Sequence, residues 1–208
     1  MGIRSSGLLS HRRIRAWHYT RLCDHEIDNI RQRGIKPSTL DLLRHRLDQM
    51  VMHGYFSKRT RTILFDFSPL HSEGFGRRSG MFWVTSRPIR VEESDVEYLL
   101  RYWGGEATYW LHIDKESDVR SLLSSTGQPR VLEMCVPLSG NARLLNAAQS
   151  VLTTFGKTLG VHVRRFHIDL NVTRELPPDS IIRIHAADEL EFRSLAQGYP
   201  ASFDEDLE

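Results

Sequence analysis

Cysteine is scarce: Cys23 and Cys135 are the only two, they lie far apart, and neither belongs to a C-x-x-C pair. That usage excludes a disulfide framework and a thiolate zinc site, and it sets the expectation of a reducing, cytoplasmic setting. Long apolar runs are missing as well. No stretch approaches the roughly 20 residues a bilayer-spanning helix needs, and the apolar part of Met1–Ser10 is too short for a secretory signal. Three signatures of common enzymes are also absent. There is no P-loop, no G-x-S-x-G elbow, and Gly74-Phe75-Gly76 is a lone G-x-G without the preceding strand and following acid of a dinucleotide fingerprint. No internal repeat or low-complexity tract occurs.

Charge of one sign is not in excess either, because 28 basic and 26 acidic residues leave +2. Its distribution is uneven. Arg12, Arg13 and Arg15, then Lys58, Arg59 and Arg61, then Arg77 and Arg78, then Arg164 and Arg165 are clustered, while Asp204 to Glu208 is acidic. Clustered arginines suit phosphate groups, and they equally suit solvated faces.

What is present reads as α+β: short strands and helices without regular βαβ spacing. Residues 1–14 read as a basic arm, 15–197 as one domain and 198–208 as an acidic tail. Trp17–Leu22 is expected to be a strand, followed by a helix capped at Asp24 and closed by Gly34. A second helix is expected from Ser38, with Leu40, Leu43, Leu47 and Met50 inward, and Gly54 stops it. Ile63-Leu64-Phe65 reads as a short strand, and Gly80–Ser86 as another that ends in two hydroxyls. Ser94 and Glu97 form a capping box for a helix that Gly104-Gly105 ends. A segment Glu106–Leu111 and a helix to Gly127 follow. Val131–Leu138 is strand, Asn141–Leu159 helix, and Val161–Leu170 and Ser180–His185 are strands.

The candidate chemistry starts at Trp17-His18-Tyr19-Thr20. Alternation sends His18 and Thr20 to one face and Tyr19 to the other, so a ligand over the strand end would meet two polar tips. His162, His167 and Asp169 lie on or near one expected strand, and His167 and Asp169 share a face that could recruit a metal, but no third confident ligand emerges, and no metal site is expected. Tyr109 and Trp110 read first as core aromatics.

Three segments in a fixed order resemble the ADP-ribosyltransferase fold family. The first is His18-Tyr19-Thr20 with the helix after it and Gly34-Ile35-Lys36-Pro37, similar to the opening strand of nucleic-acid-directed and diphtheria-type members. The second, Gly80-Met81-Phe82-Trp83-Val84-Thr85-Ser86, is similar to the hydroxyl-bearing strand supporting the nicotinamide pocket. The third, His167 to Ile182 with Pro177-Pro178, is similar to the catalytic strand and its proline turn. The resemblance implies a split antiparallel β core flanked by helices, and a toxin-like or defence enzyme that uses NAD as substrate to modify protein, DNA or RNA. It also implies an antitoxin or inhibitor as partner. On its terms His18 would bond the adenosine-side ribose, Thr20, Thr85 and Ser86 would support the nicotinamide ribose or pocket wall, and Tyr19 or Tyr109 would stack on nicotinamide. The chain departs from the family at one point: Asp169 stands where a catalytic glutamate is usual, and Glu106 competes with it for that role. Glu175, in a turn, reads as structural. The rival readings are a catalytically inactive relative that binds nucleic acid or a partner protein, and an RNA 2′-phosphotransferase-like or nuclease-like enzyme.

Overall fold

The computed structural model describes residues 11–72, 78–91, 96–109, 118–138, 144–162 and 168–199. The elements run β1 (Arg13–Leu22), α1 (Asp24–Arg33), α2 (Leu40–Met52), α3 (Lys58–Asp66), β2 (Phe82–Thr85), β3 (Ile89–Arg90), α4 (Val96–Arg101) and α5 (Glu106–Tyr109). Then follow α6 (Asp118–Ser125), β4 (Gln128–Pro137), α7 (Leu144–Thr158), β5 (Asp169–Val172), β6 (Ile181–Ala186), α8 (Leu190–Leu195) and β7 (Ala196–Gln197). Among the described residues, no helix is long and apolar enough to cross a membrane. The fold is α+β: an antiparallel sheet in the order β5-β2-β1-β4-β6, a small parallel pair β3-β7, and helices around them.

Local chemistry explains the helix starts. Glu26, three residues into α1, accepts the Cys23 backbone N–H at 3.0 Å, so the cap is Cys23 and not Asp24. Thr39, not Ser38, caps α2 by accepting the Leu42 N–H. Ser38 instead pairs with Met81. The expected strand Ile63-Leu64-Phe65 lies inside α3. Ser57 accepts the Thr60 N–H to start that helix, and only Leu64 of it is buried, so a short apolar run was one face of a helix rather than a core strand. Of the expected strand Val161–Leu170, only Asp169 and Leu170 are strand among the described residues; Val161 and His162 follow the end of α7 and are exposed. Glu106–Leu111 begins with the single helical turn α5. Gly74-Phe75-Gly76, Ser94, Trp110, His167, Arg77, Arg164 and Arg165 lie outside the described residues, as do residues 1–10 and 200–208. Strand β1 begins at Arg13, so Arg13 and Ile14 belong to the sheet rather than to an arm.

Alternation gives the sheet two apolar faces. Ala16, Phe82, Val84, Leu132, Met134 and Leu170 share one, packed with Ile27 of α1 and Ala147 of α7. Tyr19 and Val131 share the other with Ile89, Val96, Leu100 and Phe192. A third cluster joins α2, α3 and α6 through Leu47, Met50, Leu64, Trp103 and Leu123.

The pairing of β1 is unequal, and this positions the site. All ten of its residues pair with β4, yet only Trp17 pairs with β2, opposite Thr85. Beyond that rung β1 and β2 part, and the loop at 34–38 fills in on the far side through Ser38–Met81. The sheet is thus two ribbons, β5-β2 and β1-β4-β6, joined at one rung.

Candidate functional site

A cavity of about 1090 Å³ opens where the ribbons part. That is just above the roughly 300–1,000 Å³ of ordinary small-ligand pockets. His18, Thr20, Thr85, Glu106 and Asp169 all line it, with loop 34–38 and the Gly104-Gly105 turn forming other walls. Register explains how side chains of both sheet faces reach one hollow. Trp17, Thr85 and Asp169 sit side by side on three neighbouring strands and share a face, whereas His18 is on the other. Only a parted sheet lets one cavity reach both.

The half-buried His18 ring donates Nδ1–H to the Trp83 carbonyl at 2.7 Å, leaving Nε2 as an acceptor, and it packs edge-on against Phe82. Burial lowers its pKa below the usual 6.5; the bond to Trp83 opposes this and the Arg46 charge adds to it. The imidazole is therefore neutral at pH 7. Thr20 has no hydrogen-bond partner for its hydroxyl among the described residues, so the hydroxyl is available to a ligand.

Tyr19 borders the cavity but belongs to the core. It is 2% exposed, its hydroxyl donates to the Leu195 carbonyl at 2.6 Å and accepts from the Ile89 N–H at 3.2 Å, and burial pushes its pKa up to about 12. A side chain so committed ties β1 to α8 and β3. Thr85 donates to the Arg87 carbonyl at 2.7 Å. Ser86 is outside the cavity walls; its Oγ accepts the Ile168 N–H and its own N–H donates to the Ile168 carbonyl, clamping the residue before Asp169. The side chain of Tyr109 lies outside the described structure.

The acids separate by their partners. Glu106 pairs with Arg78. Glu175 pairs with Lys36 at 3.1 Å. Asp41 pairs with Arg44 at 3.2 Å. Asp169 has no ion-pair or hydrogen-bond partner for its carboxylate among the described residues. Among those residues no group of three or more His, Cys, Asp or Glu is placed to hold a metal.

One wall of the cavity did not come from sequence reasoning. Glu26 is buried and fully bonded: Oε1 accepts both Nε and a terminal nitrogen of Arg46 at 2.9 and 2.7 Å, and Oε2 accepts Trp103 Nε1 at 2.8 Å besides Cys23 N–H. The Arg46 guanidinium lies over the Trp103 ring at 4.8 Å. The available signal was a glutamate three residues after a helix cap, but cysteine is not a usual cap residue, and the pattern stayed hidden.

Comparisons with protein-family models, with curated proteins and with solved structures find no match for this chain.

Proposed function

We propose that this protein is an NAD-dependent ADP-ribosyltransferase acting on a macromolecular acceptor, with Asp169 as the carboxylate beside the reacting ribose. The observation that carries the reading is the cavity at the parted sheet. It gathers His18, Thr20, Thr85 and Asp169 around one hollow, and among the described residues Asp169 is the one acid of its lining that is not held by a cation or a bond network.

The chemistry needs little more. The bond between ribose C1′ and the nicotinamide nitrogen breaks, its electron pair neutralises the positive ring, and the sugar develops oxocarbenium character. A nucleophile on the acceptor then bonds C1′ and loses its proton. Because the leaving group departs neutral, no general acid is required, and one carboxylate close to the cationic sugar stabilises the transition state. A neutral His18 with a bare Nε2 accepts a hydrogen bond from a ribose hydroxyl, and the Thr20 hydroxyl adds a second anchor.

Incubation with labelled NAD, and with protein, DNA and RNA fractions separately, tests the reading. Transfer of label or release of nicotinamide supports it; neither, together with no NAD binding, retires it. Asp169→Asn is expected to lower the rate on the order of a hundredfold or more, the scale of a lost or misplaced reacting group, while NAD affinity changes little. Glu106→Gln is expected to change the rate far less. The opposite ranking would move the role to Glu106.

A further inference from the structure

A second, smaller cavity of about 190 Å³ adjoins the first, and Thr173 and Glu175 belong to the walls of both. Arg13 at the start of β1, Arg174 after β5, and Ser180 complete much of its lining. Glu175 is already paired with Lys36, whereas Arg13 and Arg174 have no carboxylate partner among the described residues. Both arginines are exposed, and with Glu175 the residues that line this hollow still carry a net positive charge, which neither guanidinium can relieve by shedding its proton. At roughly 30 Å³ per water, the volume corresponds to about six waters, which suits one tetrahedral oxyanion and is too small for a dinucleotide.

We propose that this hollow is a phosphoryl-anion site, distinct from the large cavity and bordering it. Two arginine forks and the hydroxyls of Thr173 and Ser180 supply more donors than a carboxylate can use, and they match the oxygens of a phosphate group. The phosphoryl group has two sources: a free phosphate anion, or a phosphodiester of a single strand whose neighbouring nucleotide reaches the large cavity. The second source would make the acceptor of the reaction proposed above a nucleic acid, and that part rests on the earlier reading.

The test needs no NAD, so its failure leaves the transferase reading standing. Inorganic phosphate and a short single-stranded oligonucleotide are titrated by calorimetry into the full chain, with sodium chloride at matched ionic strength as the reference. The comparison proteins are Arg13→Gln/Arg174→Gln and, as a control on another surface, Arg59→Gln. Saturable phosphate binding that the double variant weakens at least tenfold and Arg59→Gln leaves unchanged supports the site. Tighter binding of the oligonucleotide, weakened by the same pair, assigns the phosphodiester source; equal or weaker binding assigns the free anion. Binding indistinguishable from the chloride reference, or equal in wild type and double variant with matching far-ultraviolet circular dichroism, overturns the proposal.

Discussion

His18 shows what burial does to a titrating side chain. Its folded-state pKa lies below 6.5, for burial first and then the Arg46 charge outweigh the bond to Trp83. The unfolded chain therefore binds a proton at higher pH than the folded one, and stability is lost as pH falls below about 6.5. Urea unfolding between pH 7.5 and 5 is expected to show this decline, and His18→Asn is expected to flatten it. Glu26 is buried as well, and hydrogen bonds hold its carboxylate. Its four acceptor bonds join α1, α2 and the turn before α5, so removing the carboxylate strands the Arg46 guanidinium and the Trp103 N–H. Glu26→Ala is expected to cost about 2–4 kcal/mol, read as a lower urea midpoint at unchanged slope. Glu133 is a related buried acid across the sheet: burial alone would raise its pKa, but bonds from Arg15 at 2.6 Å and His185 at 3.0 Å hold it below the ordinary value.

Elements were legible where a clean apolar period or a long apolar run announced them. α2 has Leu43, Leu47 and Met50 on its buried side, and β4 carries a long apolar run buried on both faces from Val131 to Met134, so these agree with the sequence reading within a few residues. α3 did not, since a run of three apolar residues carries no period, and the Ser57 cap signal preceded it unread. Gly34 is the element-scale position least open to substitution. It closes α1 with φ of +79°, and a Cβ there would collide with the Leu176 carbonyl oxygen, which accepts the next residue's N–H at 2.9 Å. Gly34→Ala is expected to destabilise by about 2–4 kcal/mol from combined backbone strain and overpacking, seen as a lowered thermal midpoint. Because Ile35 and Lys36 line the large cavity, ligand binding is expected to weaken with it.

At the scale of the molecule, the strand order β5-β2-β1-β4-β6 was not legible, because nothing in a strand's own residues names its neighbour. The α+β class was legible, and so was the placing of His18 and Thr20 on one face and Tyr19 on the other. What sequence could not say is that Tyr19 spends its hydroxyl on Leu195, which follows it by most of the chain's length. Nor could it say that Glu106 meets Arg78, or that Asp169 meets no cation among the described residues. Such pairings depend on long-range packing, and they are what ranks the acids.

The lone Trp17–Thr85 rung has a mechanical meaning. A continuous ladder would join its halves by many backbone hydrogen bonds, whereas these two leaves share that one rung, the bond from His18 to the Trp83 carbonyl, and the packing of Ala16 and Leu132 with Phe82 and Val84. A guest entering between them would meet the His18 leaf on one side and the Asp169 leaf on the other, with that shared packing setting the distance it must fit.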